Sequence, residues 1–136
     1  MRLKWLAVLL LVILAACGGD DTAPVNQVRA FVAATEARNV DQMLALMVPD
    51  ARRDAGWQLR QVMPQVESIQ YRDAQFKLEK IEGDRAFVQI AGTLSARSSA
   101  GDDVEQPITQ LVELVKQDGT WYITSNGFQL PQAPQQ

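Results

Sequence analysis

The sequence contains no histidine. That absence removes Ser-His-Asp and Cys-His catalysis, imidazole metal ligands and the side chain best suited to proton transfer near neutral pH. There is one cysteine, Cys17. No disulfide can form within the chain, so its stability must come from a packed core. No Gly-rich phosphate loop is present, because Gly18-Gly19 does not lead into a helix of the required kind. No apolar run is long enough to span a bilayer. The segment from Trp5 to Ala16, about a dozen residues, would reach roughly 18 Å as a helix against a hydrocarbon core of ~30 Å. Nor is there an excess of basic charge: 13 Lys and Arg stand against 16 Asp and Glu. That balance argues against nucleic acid and against electrostatic attachment to anionic lipid.

At the N-terminus, Arg2 and Lys4 precede the short apolar run, and Ala15-Ala16 close it. A basic segment, a short apolar core and small residues before a cut site are the marks of a secretory signal. Leu14-Ala15-Ala16-Cys17 resembles the lipobox of bacterial lipoproteins. The resemblance implies cleavage before Cys17, a diacylglycerol in thioether linkage on its sulfur and, in many bacteria, a third chain on the freed amine. Two or more acyl chains anchor a protein stably where one does not. The alternatives are an ordinary signal peptide that ends in cysteine and a buried helix with a core cysteine. The expected organisation is a signal peptide over 1–16, a lipidated tether over 17–24, a domain over 25–126 and a disordered Pro/Gln tail over 127–136. The expected location is the extracytoplasmic face of a cell membrane, with lipid on Cys17 as the membrane partner. The residue after Cys17 is Gly18, so resemblance to the known sorting signal does not favour inner-membrane retention in a two-membrane host. Asp20 and Asp21 lack a third oxygen ligand spaced for calcium and read as a solvated linker.

From Val25 the apolar pattern has helical period: Val28, Phe31, Val32 and Thr35 fall on one face. Thr22 or Pro24 can open this helix, and Arg38-Asn39 can close it, with Asn39 in a left-handed cap. Asp41 is the expected N-cap of a short second helix carrying Met43, Leu44 and Met47. Asp50 is the expected cap of a third, with Ala55, Leu59 and Val62 on one face and Pro64 at its end. Beyond Pro64 the period becomes two. Ala74, Phe76 and Leu78 form one face of a strand; Ala86, Val88, Ile90 and Leu94 form one face of the next. Ile108, Val112 and Leu114 oppose Leu111 and Val115 on a third, and Trp121 to Thr124 is a fourth. Asp118-Gly119 is a strong hairpin turn. The fold class is α+β: N-terminal helices packed on a curved antiparallel meander of about four strands.

The opening helix VNQVRAFVAATEARNVDQMLALM and the closing hairpin LVELVKQDGTWYITS resemble the nuclear transport factor 2-like superfamily, and more narrowly its small bacterial lipoproteins of unassigned function. The resemblance implies a cone: a bent sheet wrapped around the first helix, with a pocket at the open end. It also implies a homodimer formed through the sheet, as in many relatives. The superfamily hosts enzymes, binders and scaffolds, so the fold does not choose among them.

Carboxylates and phenols are the chemistry that remains. Tyr71 and Asp73 are two apart, which on a regular strand places them on one face. An isomerase of this fold sets a tyrosine and a carboxylic acid around a substrate oxygen. The alternative is an exposed rim, since Gln70 and Arg72 flank the pair. Trp57 can close a pocket mouth or pack between helix and sheet. Met43 and Met47 can line an adaptable cavity or fill the core. Trp121 is expected inside and Tyr122 at a surface or pocket. Arg52 and Arg53 stand in a helix first turn, where the dipole disfavours cations. The possible pocket residues are therefore Trp57, Tyr71, Asp73 and Tyr122. No catalytic residue, metal or cofactor is assigned, and no nucleic acid is expected.

The leading expectation is a non-enzymatic, lipid-anchored domain that binds a small apolar ligand or a protein partner. A scaffolding dimer with a filled cone is the alternative, and an isomerase-like enzyme using Tyr71 and Asp73 is the third. Cys17→Ser is expected to stop lipidation and release or misprocess the protein. Membrane fractionation with mass analysis of the product checks this, and mature lipidated protein in the membrane fraction would contradict it.

Overall fold

The computed structural model describes residues 22–124. The expected signal peptide, Cys17, most of the expected tether and the Pro/Gln tail lie outside the described residues. The stripe Val28, Phe31, Val32 and Thr35 builds α1 (Ala23–Glu36), and all four side chains are buried. Thr35 is the buried polar member, and its hydroxyl donates to the Phe31 carbonyl at 2.8 Å. This bond avoids the cost of an unsatisfied hydroxyl in the core.

After α1 the caps differ from expectation. Arg38, not Asn39, adopts the left-handed conformation, with φ 54°. Asn39 stays extended and is the N-cap of α2 (Val40–Ala45), its side chain accepting the Gln42 N–H at 3.1 Å. Asp41, the expected cap, stands inside the first turn, where its charge still suits the helix dipole. A 3-10 turn at Pro49–Ala51 leads into α3 (Arg52–Val62), so Asp50 lies in that turn and Ala51 takes the cap position. On α3 Leu59 is buried but Val62 is exposed, and Met63 in the following turn fills the inward place instead.

The sheet is a four-strand antiparallel meander in the order β1-β2-β3-β4: β1 (Val66–Glu82), β2 (Arg85–Ser98), β3 (Asp103–Gln117) and β4 (Thr120–Ile123). Its inner face carries Ala86, Val88, Ile90, Leu94, Val112, Leu114, Trp121 and Ile123, all buried, with Phe76, Leu78 and Ile108 packed at the margin of the core. These are the positions that the two-residue period picks out. Asp118 and Gly119, with φ 51° and 80°, form the tight turn between Gln117 and Thr120. Positive φ at both central residues matches the twist of the flanking strands.

Two features shape the sheet edges. The β4 edge is covered by the helical layer: the Ile123 N–H donates to the Leu46 carbonyl and the Val48 N–H to the Ile123 carbonyl, each at 2.9 Å. Among the described residues, pairing of β3 with β4 covers only Leu114 to Gln117. Glu113 still accepts the Thr124 N–H at 3.1 Å. Backbone alternation then turns Leu111, Thr109 and Pro107 toward the same open side. Pro107 has no N–H to leave unpaired there, which is why a proline is tolerated inside this strand.

β1 carries a bulge. Arg72 pairs with Thr93 and Gln75 with Ala91, so one extra residue is accommodated between them, and Asp73 there has φ 52°. Gly92 faces the bulge from β2. A Cβ on Gly92 would lie 2.8 Å from the Arg72 carbonyl oxygen and 3.1 Å from the Ala74 Cα. Both are backbone atoms that cannot rotate away. Gly92→Ala is therefore expected to destabilise the fold by about 1–3 kcal/mol, seen as a lower midpoint in chemical denaturation. An unchanged midpoint would show that the bulge can shift freely.

Candidate functional site

Tyr71 is the half-buried polar group of the inner face. It lies opposite Leu94 on β2, and its backbone N–H donates to Glu36 Oε1 at 3.1 Å. Burial, and then the Glu36 carboxylate, push the Tyr71 phenol above its ordinary value. A phenol held neutral in this way can donate a hydrogen bond but is a poor base.

Asp73 does not share that environment. It is exposed in the bulge. The extra residue breaks the two-residue alternation, so the spacing that set Tyr71 and Asp73 on one face no longer applies. Trp57 does not close a mouth: it is 67% exposed on α3. Tyr122 is half-buried on the outer side of the sheet, with Arg52 stacked 5.8 Å from its ring centroid. The four suggested pocket residues are thus spread over four surroundings and are not gathered into one site. Trp121 is buried, as the strand alternation predicts.

Arg52 has a local structural task. It donates to the Met47 and Ala45 carbonyls at 3.1 and 3.2 Å. A cation there satisfies carbonyls at the C-terminal end of α2 and suits its dipole. Met43 and Met47 are buried and fill the core.

Two grooves lie outside the cone. One, of about 580 Å³, crosses the far end of β1, β2 and β3 and includes Arg72, Arg97, Asp103 and Glu105. Arg97 pairs with Asp103 at 2.7 Å and Arg72 with Glu105 at 3.4 Å. The hydrogen bond from Arg97 holds the Asp103 carboxyl below its ordinary range. These pairs are exposed and mutually neutralised, which gives the groove little pull on a charged ligand. Sequence reasoning missed them because Arg97 and Asp103 meet only through strand register. Their positions on either side of the turn at 99–102 were the available signal. The second groove, of about 420 Å³, lies along α3 between Arg53, Asp54, Trp57, Arg60 and Gln61. Among the described residues, no group of three or more histidine, cysteine or acidic side chains is disposed to hold a metal ion.

Large side chains pack over the centre of the inner face. Phe31, Met43, Ile90, Leu94, Leu114 and Ile123 are large and fully buried there.

This arrangement, helices on a curled four-strand half-barrel, is nuclear transport factor 2-like. A candidate aromatic ring hydroxylase from Novosphingobium aromaticivorans matches with TM-score 0.69 at 15% identity, over 77% of this chain and 86% of that one. A ketosteroid isomerase-like protein from Erwinia carotovora atroseptica matches with TM-score 0.67 at 16% identity, over 78% and 92%. A candidate dehydratase of the NTF2-like family from Streptomyces avermitilis matches with TM-score 0.61 at 16% identity, over 76% and 92%. At such identities the likeness shows the fold alone. No protein-family model matches the sequence, and no curated protein matches it.

The Tyr71 environment gives a pH prediction. An unfolded phenol loses its proton near pH 10, while the folded one holds it to higher pH. Above that pH the unfolded state binds fewer protons, so stability falls as pH rises. Tyr71→Phe is expected to flatten this alkaline loss. Urea midpoints at about pH 9 and about pH 11 measure it, and an equal loss in wild type and variant would contradict it.

Proposed function

We propose that this chain is a non-enzymatic, lipid-anchored extracytoplasmic domain that works by protein contact through the outer face of its sheet, with a second copy of itself as partner. The observation that carries this reading is the contrast between the two faces. The inner face is occupied by its own large side chains, which leaves a small apolar ligand little to displace. The outer face presents Leu111 at 54% exposure. Half-buried Phe87 lies diagonally from it across the β2–β3 pairing, and half-buried Val115 lies two outward positions along β3, beyond Glu113. Phe87 is flanked by Lys80 and Arg85, 4.9 and 5.8 Å from its ring centroid. Apolar residues ringed by charge are the composition of a protein contact.

Two other readings have less support. A small apolar ligand would have to enter a filled interior. An isomerase-like use of Tyr71 and Asp73 would need the bulge to bring them to one substrate atom. The fold neighbours include proteins named for enzyme activities, but the fold alone does not carry an activity across.

Native mass spectrometry of the protein gently extracted from its host membrane tests the reading. A dimer is expected, with no small-molecule adduct. Leu111→Asp should weaken it by roughly 30-fold or more, since a charge would be buried without a partner. A monomer carrying a defined small adduct would overturn the reading in favour of ligand binding.

A further inference from the structure

The exposed tryptophan of α3 is not used by the sheet-face contact. Trp57 is 67% exposed, more than any other large apolar side chain among the described residues. Arg53 lies four residues before it and Arg60 three residues after, so all three share one face of an eleven-residue helix. Together with Asp54 and Gln61 they border the groove of about 420 Å³. Among the described residues, Arg60 is engaged by an exposed pair with Asp41 at 3.2 Å, a contact of small value that a better partner can displace.

The position of this face relative to the tether points to its occupant. Gln27, in the first half of α1, donates to the Trp121 carbonyl at 2.8 Å. Arg52, the first residue of α3, stacks on the adjacent Tyr122. Gln27, about one turn into α1, and the first residue of α3 therefore both touch the same short strand, and Trp57 is only about 7.5 Å further along α3. From Cys17 to Thr22 the chain reaches at most roughly 17 Å. A lipid on Cys17 would hold this side of the domain next to the headgroups.

We infer that the Arg53-Trp57-Arg60 face of α3 rests on the phospholipid headgroup layer of the membrane that anchors the chain. Tryptophan favours that layer, where its ring meets apolar chains and its N–H meets water. Arginine stems lie along the interface while their guanidinium groups reach phosphate oxygens. Asp54 and Asp41 offset the arginine charge locally, so zwitterionic lipid suits the face and a strongly anionic surface is not required. This agrees with the acidic balance of the whole chain. The inference rests on the proposed lipidation of Cys17 and adds to it an orientation of the domain.

The test uses the full lipoprotein purified from its host and reconstituted in phosphatidylcholine vesicles, with and without phosphatidylcholine brominated near the top of its acyl chains. Tryptophan emission is compared between wild type and Trp57→Phe. Buried Trp121 is common to both and cancels. Bromine-dependent quenching is expected in wild type and should be lost in Trp57→Phe. It should be reduced in Arg53→Gln/Arg60→Gln, which keeps the reporter and removes the phosphate contacts. Equal quenching in wild type and Trp57→Phe would overturn the inference, as would no quenching in protein whose mass carries lipid on Cys17. If the mass shows no lipid there, the anchoring reading fails separately. The same comparison at excess vesicle then decides the face by the same criteria. Circular dichroism confirms that each variant keeps the fold.

Discussion

The fold depends on the burial of one stripe of α1 against the inner face of the curled sheet. Neither surface is stable without the other. The stripe of Val28, Phe31, Val32 and Thr35 needs a concave apolar wall, and the alternating side chains of β2 and β3 need a rod to close on. At about 25 cal/mol per Å² of apolar surface, a wall of this kind supplies the main favourable contribution to folding. The bulge at Asp73 and the missing side chain at Gly92 serve the same contact, since a bulge increases local bend and twist and lets the wall curl around the rod. The short helices α2 and α3 close the open side with Met43, Leu44, Leu59 and Met63.

Packing of this kind divides the surfaces available for function. The centre of the inner face is taken up by the core, while Tyr71, Phe76, Leu78 and Ile108 stay half-buried at its margin. The outer face and the exposed side of α3 are then the surfaces open to recognition. They differ in chemistry: Leu111 and the diagonal Phe87 are apolar points among Gln89, Thr109 and Glu113 on the sheet, and Trp57 is an exposed amphipathic ring on a short helix with arginines about one turn away on either side.

The helix stripe, the strand faces and the closing turn were legible in the sequence because each is a local period or a turn chemistry. Val88, Ile90, Val112 and Leu114 face inward as their alternation requires. The candidate site was much less legible. Pairing Tyr71 with Asp73 assumed an unbroken strand, and nothing local in QYRDAQF announces the bulge. The need for it comes from the curvature of the whole sheet and from Gly92 on the neighbouring strand. Caps were misplaced by one or two residues for a similar reason. Asn39 and Asp41 are both good caps, and the choice fell to where the chain turns after α1, at Arg38, whose guanidinium reaches the Val66 carbonyl at 2.8 Å. Arg52 could not be placed from sequence because its partners are carbonyls at and just beyond the end of a different helix.

The proline on the side of β3 that no described strand covers bears on the proposed anchoring at a membrane. Chains held on a surface by lipid share a thin layer, and neighbours collide far more often than the same number of molecules in bulk. A bare sheet edge under those conditions is a template for runaway strand pairing between copies. Pro107 interrupts the row of donors that such pairing would need. Under the proposed anchoring, Pro107 would let this edge coexist with crowding and leave the sheet face as the surface on which copies meet.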